Sequence, residues 1–152
     1  MKKLEDKQLD RGREIVFIYN EITYRGRVPT KGEMSPGEVR DFLTRIPGNF
    51  AYWARVRNSI LRDLRARAVS YDLWKSQKMQ KVNDSHPRWS AGAKEAEVLT
   101  LYASEYKKIK KVISDLQYAA DQAEVMVKSL EMLHRGMQSA GSLLKSEMEN
   151  LG

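Results

Sequence analysis

Apolar positions recur every three to four residues along most of the chain, and that period predicts helices. From Val98 to Leu151, sixteen positions follow 4-3 spacing and fourteen of them are apolar. Sustained heptads predict a long helix whose apolar seam faces a partner. If continuous, it would extend roughly 80 Å at 1.5 Å per residue. Gly136 and Gly141 each cost about 1 kcal/mol in a helix interior, so a break, with a separate helix from about Ser142, is a second reading. An earlier stretch, Phe50 to about Lys81, is also amphipathic. Its Trp53, Ile60, Leu64 and Tyr71 fall within about 40° of one another at 100° per residue. Arg55 and Arg62 point to the opposite side, flanked by Arg65. Arg57 and Arg67 fall within or beside the apolar stripe. Either their alkyl stems snorkel along it, or a ligand or partner requires charge there.

Turn signals divide these periodic stretches. Ser35-Pro36-Gly37-Glu38 places serine at an N-cap, proline at the first helical position and glutamate three residues after the cap. That is a capping box, and a short helix is expected through Leu43 and Ile46. Pro47-Gly48-Asn49 should end it, with Asn49 capping the long helix that follows. Residues 82–93 read as a connector, and the last helix is expected to start at or near Ser90. Two long helices joined by a short connector predict an antiparallel hairpin. Before all of these, Ile15–Tyr19 and Ile22–Val28 flank Asn20-Glu21. The two β-rich runs read as a small β-hairpin, while a helical turn through Ile15, Ile18 and Ile22 remains open. The expected fold is mainly α. Residues 1–33 form an N-terminal extension, and residues 34–152 form a helical binding and oligomerisation domain. One hairpin cannot cover the whole heptad seam. Self-association as a homo-oligomer is therefore the expected way to cover Leu130–Leu151.

Charge adds a direction to this picture. The 152-residue chain carries a net charge of +7, and residues 51–94 hold ten Lys/Arg against three Asp/Glu. A basic block of this kind fits a polyanionic partner, although solvated basic helix faces are also common. All three tryptophans, Trp53, Trp74 and Trp89, lie in the same block. Single-stranded nucleic acid is held by cationic grooves with aromatic faces on which bases stack. The phosphate-contact candidates are Arg55, Arg62, Arg65, Lys75, Lys78, Lys81 and Arg88. Trp89, beside Arg88 in the connector, is the stacking candidate. Trp53 and Tyr71 read as core residues, and Trp74 as either. A second cluster, Lys107, Lys108, Lys110 and Lys111, could extend the cationic surface; pairing with Glu105 and Asp115 at helical spacing is the alternative.

Other chemistry is not apparent in the sequence. There is no cysteine, which excludes disulfides, thiolate zinc sites and a cysteine nucleophile. The two histidines, His86 and His134, lack metal-ligand spacing, and no phosphate-cradling glycine motif or nucleophile elbow is found. No cofactor, metal or catalytic activity is expected. The N-terminal MKKLEDKQLD has no apolar run after its lysines, and no stretch reaches membrane-span length, so a cytoplasmic protein is expected.

The order of elements resembles a phage family. Met34-Ser35-Pro36-Gly37-Glu38-Val39 leads through Ile46-Pro47 into a Trp/Arg-rich helix, then a basic connector. A long helix follows, ending in Leu143-Leu144-Lys145-Ser146-Glu147-Met148-Glu149-Asn150-Leu151-Gly152. Over residues 34–152 this is similar to the small helical recombination mediators of the UvsY type in tailed phages. The resemblance implies sequence-independent binding of single-stranded DNA and ring-like assembly through C-terminal helices, with Leu130, Leu133, Met137, Leu143, Leu144 and Leu151 serving that assembly. It also implies loading of a RecA-like recombinase onto DNA coated by single-strand-binding protein, in the cytoplasm of an infected bacterium. The rival reading is a coiled-coil phage scaffold or adaptor whose arginines face acidic protein surfaces.

Overall fold

The structure is a computed structural model that describes residues 14–27 and 36–151, without the side chains of 36, 38, 39, 42, 137 and 139–147. Strands β1 (Glu14–Tyr19) and β2 (Ile22–Arg27) pair antiparallel. They are followed by helices α1 (Pro36–Ser85), α2 (Ala91–Leu101) and α3 (Ala103–Asn150). The chain divides into two compact units. One combines the described residues up to Asn58 with those from Ala119 onward, and the other is Ser59–Tyr118. The β-hairpin therefore belongs to the same unit as both outer helix portions. Among the described residues, no helix is long and apolar enough to cross a membrane.

The hairpin alternative holds at residues 14–27. Asn20 and Glu21 have φ of 49° and 63°, the double positive φ of a type I′ two-residue turn. Period-2 alternation buries Ile15, Phe17 and Tyr19 while Glu14 and Ile18 stay exposed. Phe17 faces Tyr24 across the ladder, and their rings stack at 5.2 Å. Gly26, paired with Ile15, leaves a gap that other side chains fill. A Cβ at Gly26 would lie 2.8 Å from Trp53 Cζ2 and 2.9 Å from Met126 Sδ. Phe17 also meets Trp53 edge-on at 6.0 Å.

The expected break at Pro47-Gly48-Asn49 does not occur. The short capped helix and the long helix are one, and Pro47 lies inside α1. Asn49 is thus a helix-interior residue and caps nothing; Ser35 lies outside the described residues. A proline there forfeits a backbone hydrogen bond and crowds the preceding turn, at about 3 kcal/mol or more. What offsets this is a stripe spaced by sevens. Ile46, Trp53 and Ile60 are all buried on one side of α1, and Val56 adds to it. Ending the helix at Pro47 would turn Ile46 away from that stripe, whereas Pro47 and Gly48 themselves face solvent.

The connector is shorter than residues 82–93, because α1 continues to Ser85. His86 N–H donates to the Val82 carbonyl, and Trp89 N–H donates to the His86 carbonyl. Ser90 caps α2 as expected, its hydroxyl accepting from Ala93 N–H at 3.2 Å. The last helical stretch is interrupted only at Tyr102, with φ −111° and ψ 28°. Hydrogen bonds from Tyr102 N–H to Val98 and from Tyr106 N–H to Tyr102 carry the helical ladder past it. No break follows Gly136 or Gly141, since α3 is continuous through both.

Candidate nucleic-acid interface

Within Ser59–Tyr118, α1 and α3 run antiparallel, so a later turn of one meets an earlier turn of the other. Tyr71 lies 6.3 Å from Tyr106, and Trp74 lies 6.4 Å from Tyr102. Tyr71 and Trp74 stack at 6.0 Å with 21° between their planes. Trp74 Nε1–H donates to Glu105 Oε2 at 2.8 Å. This cluster answers the question left by Trp74: its polar edge is already engaged inside the unit.

Some nominated cations serve the same cluster. Lys78 Nζ sits 4.3 Å over the Tyr102 ring and 3.8 Å from Glu105, with a side chain only 16% exposed. Lys75 pairs with Glu95 at 2.7 Å. That bond pushes the Lys75 ammonium above its ordinary value. The Trp74 hydrogen bond, reinforced by Lys78 and Lys81, holds Glu105 below the usual carboxylate value. Lys75 and Lys78 are thus structural cations, because the fold brings carboxylates and a ring to them that lie 20 to 27 residues away in sequence. Lys110 is similar, its Nζ 4.4 Å over Tyr71.

The other nominated cations are differently placed. Arg62, Arg65, Lys81, Arg88, Lys107, Lys108 and Lys111 are exposed. None of them forms an ion pair among the described residues, although Lys81 acts on Glu105 through space. Helical pairing of the lysine cluster with Glu105 and Asp115 does not form; Glu105 is turned toward Trp74 and Lys78 instead. Trp89 is 41% exposed in the connector, and His86 stacks on it at 3.8 Å and 8°. One indole face is therefore covered by the imidazole.

A feature that the helical pattern alone does not reveal is a groove of about 250 Å³ lined by Arg67, Ser70, Tyr71, Lys108, Ile109 and Val112. No carboxylate lines it. Seeing it requires the register of α1 against α3, since Arg67 and Lys108 are 41 positions apart in the chain. The one hint in the sequence is Arg67 beside the apolar stripe.

In the other unit, Arg55 is exposed with no ion pair among the described residues. The Arg57 guanidinium has a partner within its own chain, since it bonds Glu124 Oε2 at 2.9 Å. The residues nominated for self-association fall into three groups. Leu130 is 1% exposed, covered by its own chain and so not open to a second copy. The reason is that the heptad seam also carries Ala119, Ala123 and Met126, all buried in this unit. Leu133 is half-buried and Leu151 is 88% exposed. The side chains of Met137, Leu143 and Leu144 lie outside the described residues. Among the described residues no group of three or more His, Asp or Glu could hold a metal ion. No protein-family model matches the chain, and no curated protein or solved structure matches it either.

Proposed function

We propose that the chain is a non-catalytic single-stranded-DNA-binding protein that acts through the unit Ser59–Tyr118. The observation that carries this reading is a division among the unit's cations. Lys75, Lys78 and Lys110 are held by carboxylates or rings. Arg62, Arg65, Arg67, Arg88, Lys107, Lys108 and Lys111 are exposed without ion-pair partners among the described residues. Unpaired cations beside partly exposed aromatics suit a phosphate backbone whose bases stack or pack on apolar surface. No element of the unit is suited to reading base edges, so binding is independent of sequence. The resemblance to UvsY-type mediators extends the proposal. Several copies assemble through α3, with exposed Met148 and Leu151 available for contact, and help load a RecA-like recombinase onto DNA coated by single-strand-binding protein.

The test is anisotropy of a labelled dT oligonucleotide titrated at two salt concentrations, with molecular mass measured on the same sample. Engagement of four phosphates gives a slope of log K against log salt of about −3, at roughly −0.7 per contact. Absence of binding at low salt sinks the reading. The same exposed apolar residues at the end of α3 favour a second reading, a coiled-coil assembly or adaptor protein. Under that reading the oligomer forms normally and is indifferent to both DNA and the exposed arginines.

A further inference from the structure

We infer that the groove lined by Arg67, Tyr71, Lys108, Ile109 and Val112 seats one nucleotide of the bound strand, with its base on the apolar wall and its phosphate between the two cations. The inference rests on the proposed binding of single-stranded DNA and assigns it a place.

Three observations carry it. The first is charge. Arg67 and Lys108 line one groove without a carboxylate in it, and neither has an ion pair among the described residues. Like charges brought to one place repel, and an anion between them removes that repulsion. The second is the wall. Tyr71, Ile109 and Val112 line the same groove as the cations, and Val112 is 39% exposed. A bare inorganic anion would gain nothing from that surface, whereas a nucleotide carries an anion and a planar apolar face together. The volume, about 250 Å³, falls below the roughly 300–1,000 Å³ of sites that enclose a drug-sized molecule. It suits one base rather than a stacked pair. The third is preorganisation. Tyr71 is held by the stacked Trp74 ring and by Lys110 Nζ over its centre. Lys110 is held in the same contact, so the wall is set before the strand arrives.

The groove differs from the connector, where Arg88 and the open face of Trp89 offer a second stacking platform. It also differs from a featureless cationic helix back, because it has a shape that can be filled. Val112→Phe fills it without changing charge, at a position exposed enough to accept the larger ring.

The experiment uses the full chain and a dT oligonucleotide carrying 5-iodouracil, photo-crosslinked and mapped by peptide mass spectrometry. Cross-links are expected within residues 67–71 or 108–112. Val112→Phe should remove them and weaken binding several-fold at constant helical content. Arg67→Ala with Lys108→Ala should weaken binding about tenfold at low salt and reduce the salt slope by about 1.4, two phosphates at roughly 0.7 each. If cross-links map only to the connector and Val112→Phe binds like the unaltered chain, the groove is not the seat, while single-strand binding stands. If the unaltered chain fails to bind dT at low salt, the proposed function falls and the groove assignment falls with it.

Discussion

The two compact units use their side chains in opposite ways. Of the fifteen buried apolar residues among those described, twelve lie in the unit that contains the β-hairpin, and only Ile60, Val82 and Val98 lie in Ser59–Tyr118. The hairpin unit pairs several of its charges internally, although Arg55 stays exposed without an ion pair among the described residues. Arg57 and Lys128 share Glu124, Arg135 pairs with Glu131, and Arg25 pairs with Glu14. By sequence it carries 15 Lys/Arg against 13 Asp/Glu, whereas Ser59–Tyr118 carries 12 against 7. The second unit replaces a fully buried core with a half-exposed aromatic cluster and leaves many of its cations without partners. Stability and binding are therefore expected to separate along the chain, so that damage to one unit leaves the other's property measurable.

The sharpest separation comes from Leu130→Ala. Leu130 is 1% exposed, and removing such a side chain costs about 2–5 kcal/mol. Urea denaturation should show a loss of about 3 kcal/mol, near the middle of that range. Oligonucleotide affinity per folded molecule should stay the same. A variant of unchanged stability but lower assembly mass would break the comparison, because Leu130 would then be an interface residue.

Gly26→Val tests the same unit from the hairpin side. The new Cβ would begin 2.8 Å from Trp53 Cζ2 and 2.9 Å from Met126 Sδ. Overpacking of this kind costs about 1–3 kcal/mol. A loss of about 2 kcal/mol is expected, with altered near-ultraviolet dichroism from Trp53 and normal DNA binding.

How far these contrasts can be read without coordinates depends on their range. The hairpin is legible because Asn20-Glu21 and its alternating flanks act locally, as does Ser90 as a cap. The buried stripe through Trp53 and Ile60 is legible from period alone. Pro47 is misleading for the same reason: a local rule predicts a stop, and burial of residues seven apart on either side overrides it. Among the cations, exposure of Arg62 and Arg65 follows from helix geometry. The internal roles of Lys75 and Lys78 do not, because Glu95, Tyr102 and Glu105 reach them only through the pairing of helices. Leu130 looks like an unpaired heptad position until the hairpin unit covers it.

Reversing the exposed charges gives the complementary result. Arg62→Glu with Arg65→Glu changes two solvated positions three residues apart on α1. Stability should move by no more than about 0.5 kcal/mol. Affinity for dT should fall about tenfold at low salt, and the salt slope should shrink by about 1.4. Equal binding by this variant would mean that the unpaired cations of α1 are not the phosphate contacts, and the partition between units would lose its functional half.

The smallest effect is the most specific to Ser59–Tyr118. Glu105 accepts from Trp74 and lies beside Lys78, and both interactions hold its carboxyl below the ordinary 4.5. A group whose value falls on folding stabilises fully above its unfolded value and loses that contribution as the pH drops through the folded one. The stabilisation from Glu105 is therefore present at neutral pH and fades on acidification below about 4.5. Glu105→Gln keeps an acceptor for the indole but no charge, so it should melt slightly below the unaltered chain at pH 7. The gap should close as the pH approaches 3, and Trp74 emission should shift only in the unaltered chain. Lys75 acts in the other direction. Its value rises through Glu95, so its contribution holds below 10.5 and is lost above the folded value. A gap between Glu105→Gln and the unaltered chain that stays constant from pH 7 to 3 would show that the Glu105 carboxylate does not brace the aromatic cluster. The cluster would then rest on its ring packing and on Lys78 and Lys110 over their rings, with Lys75 still bonded to Glu95.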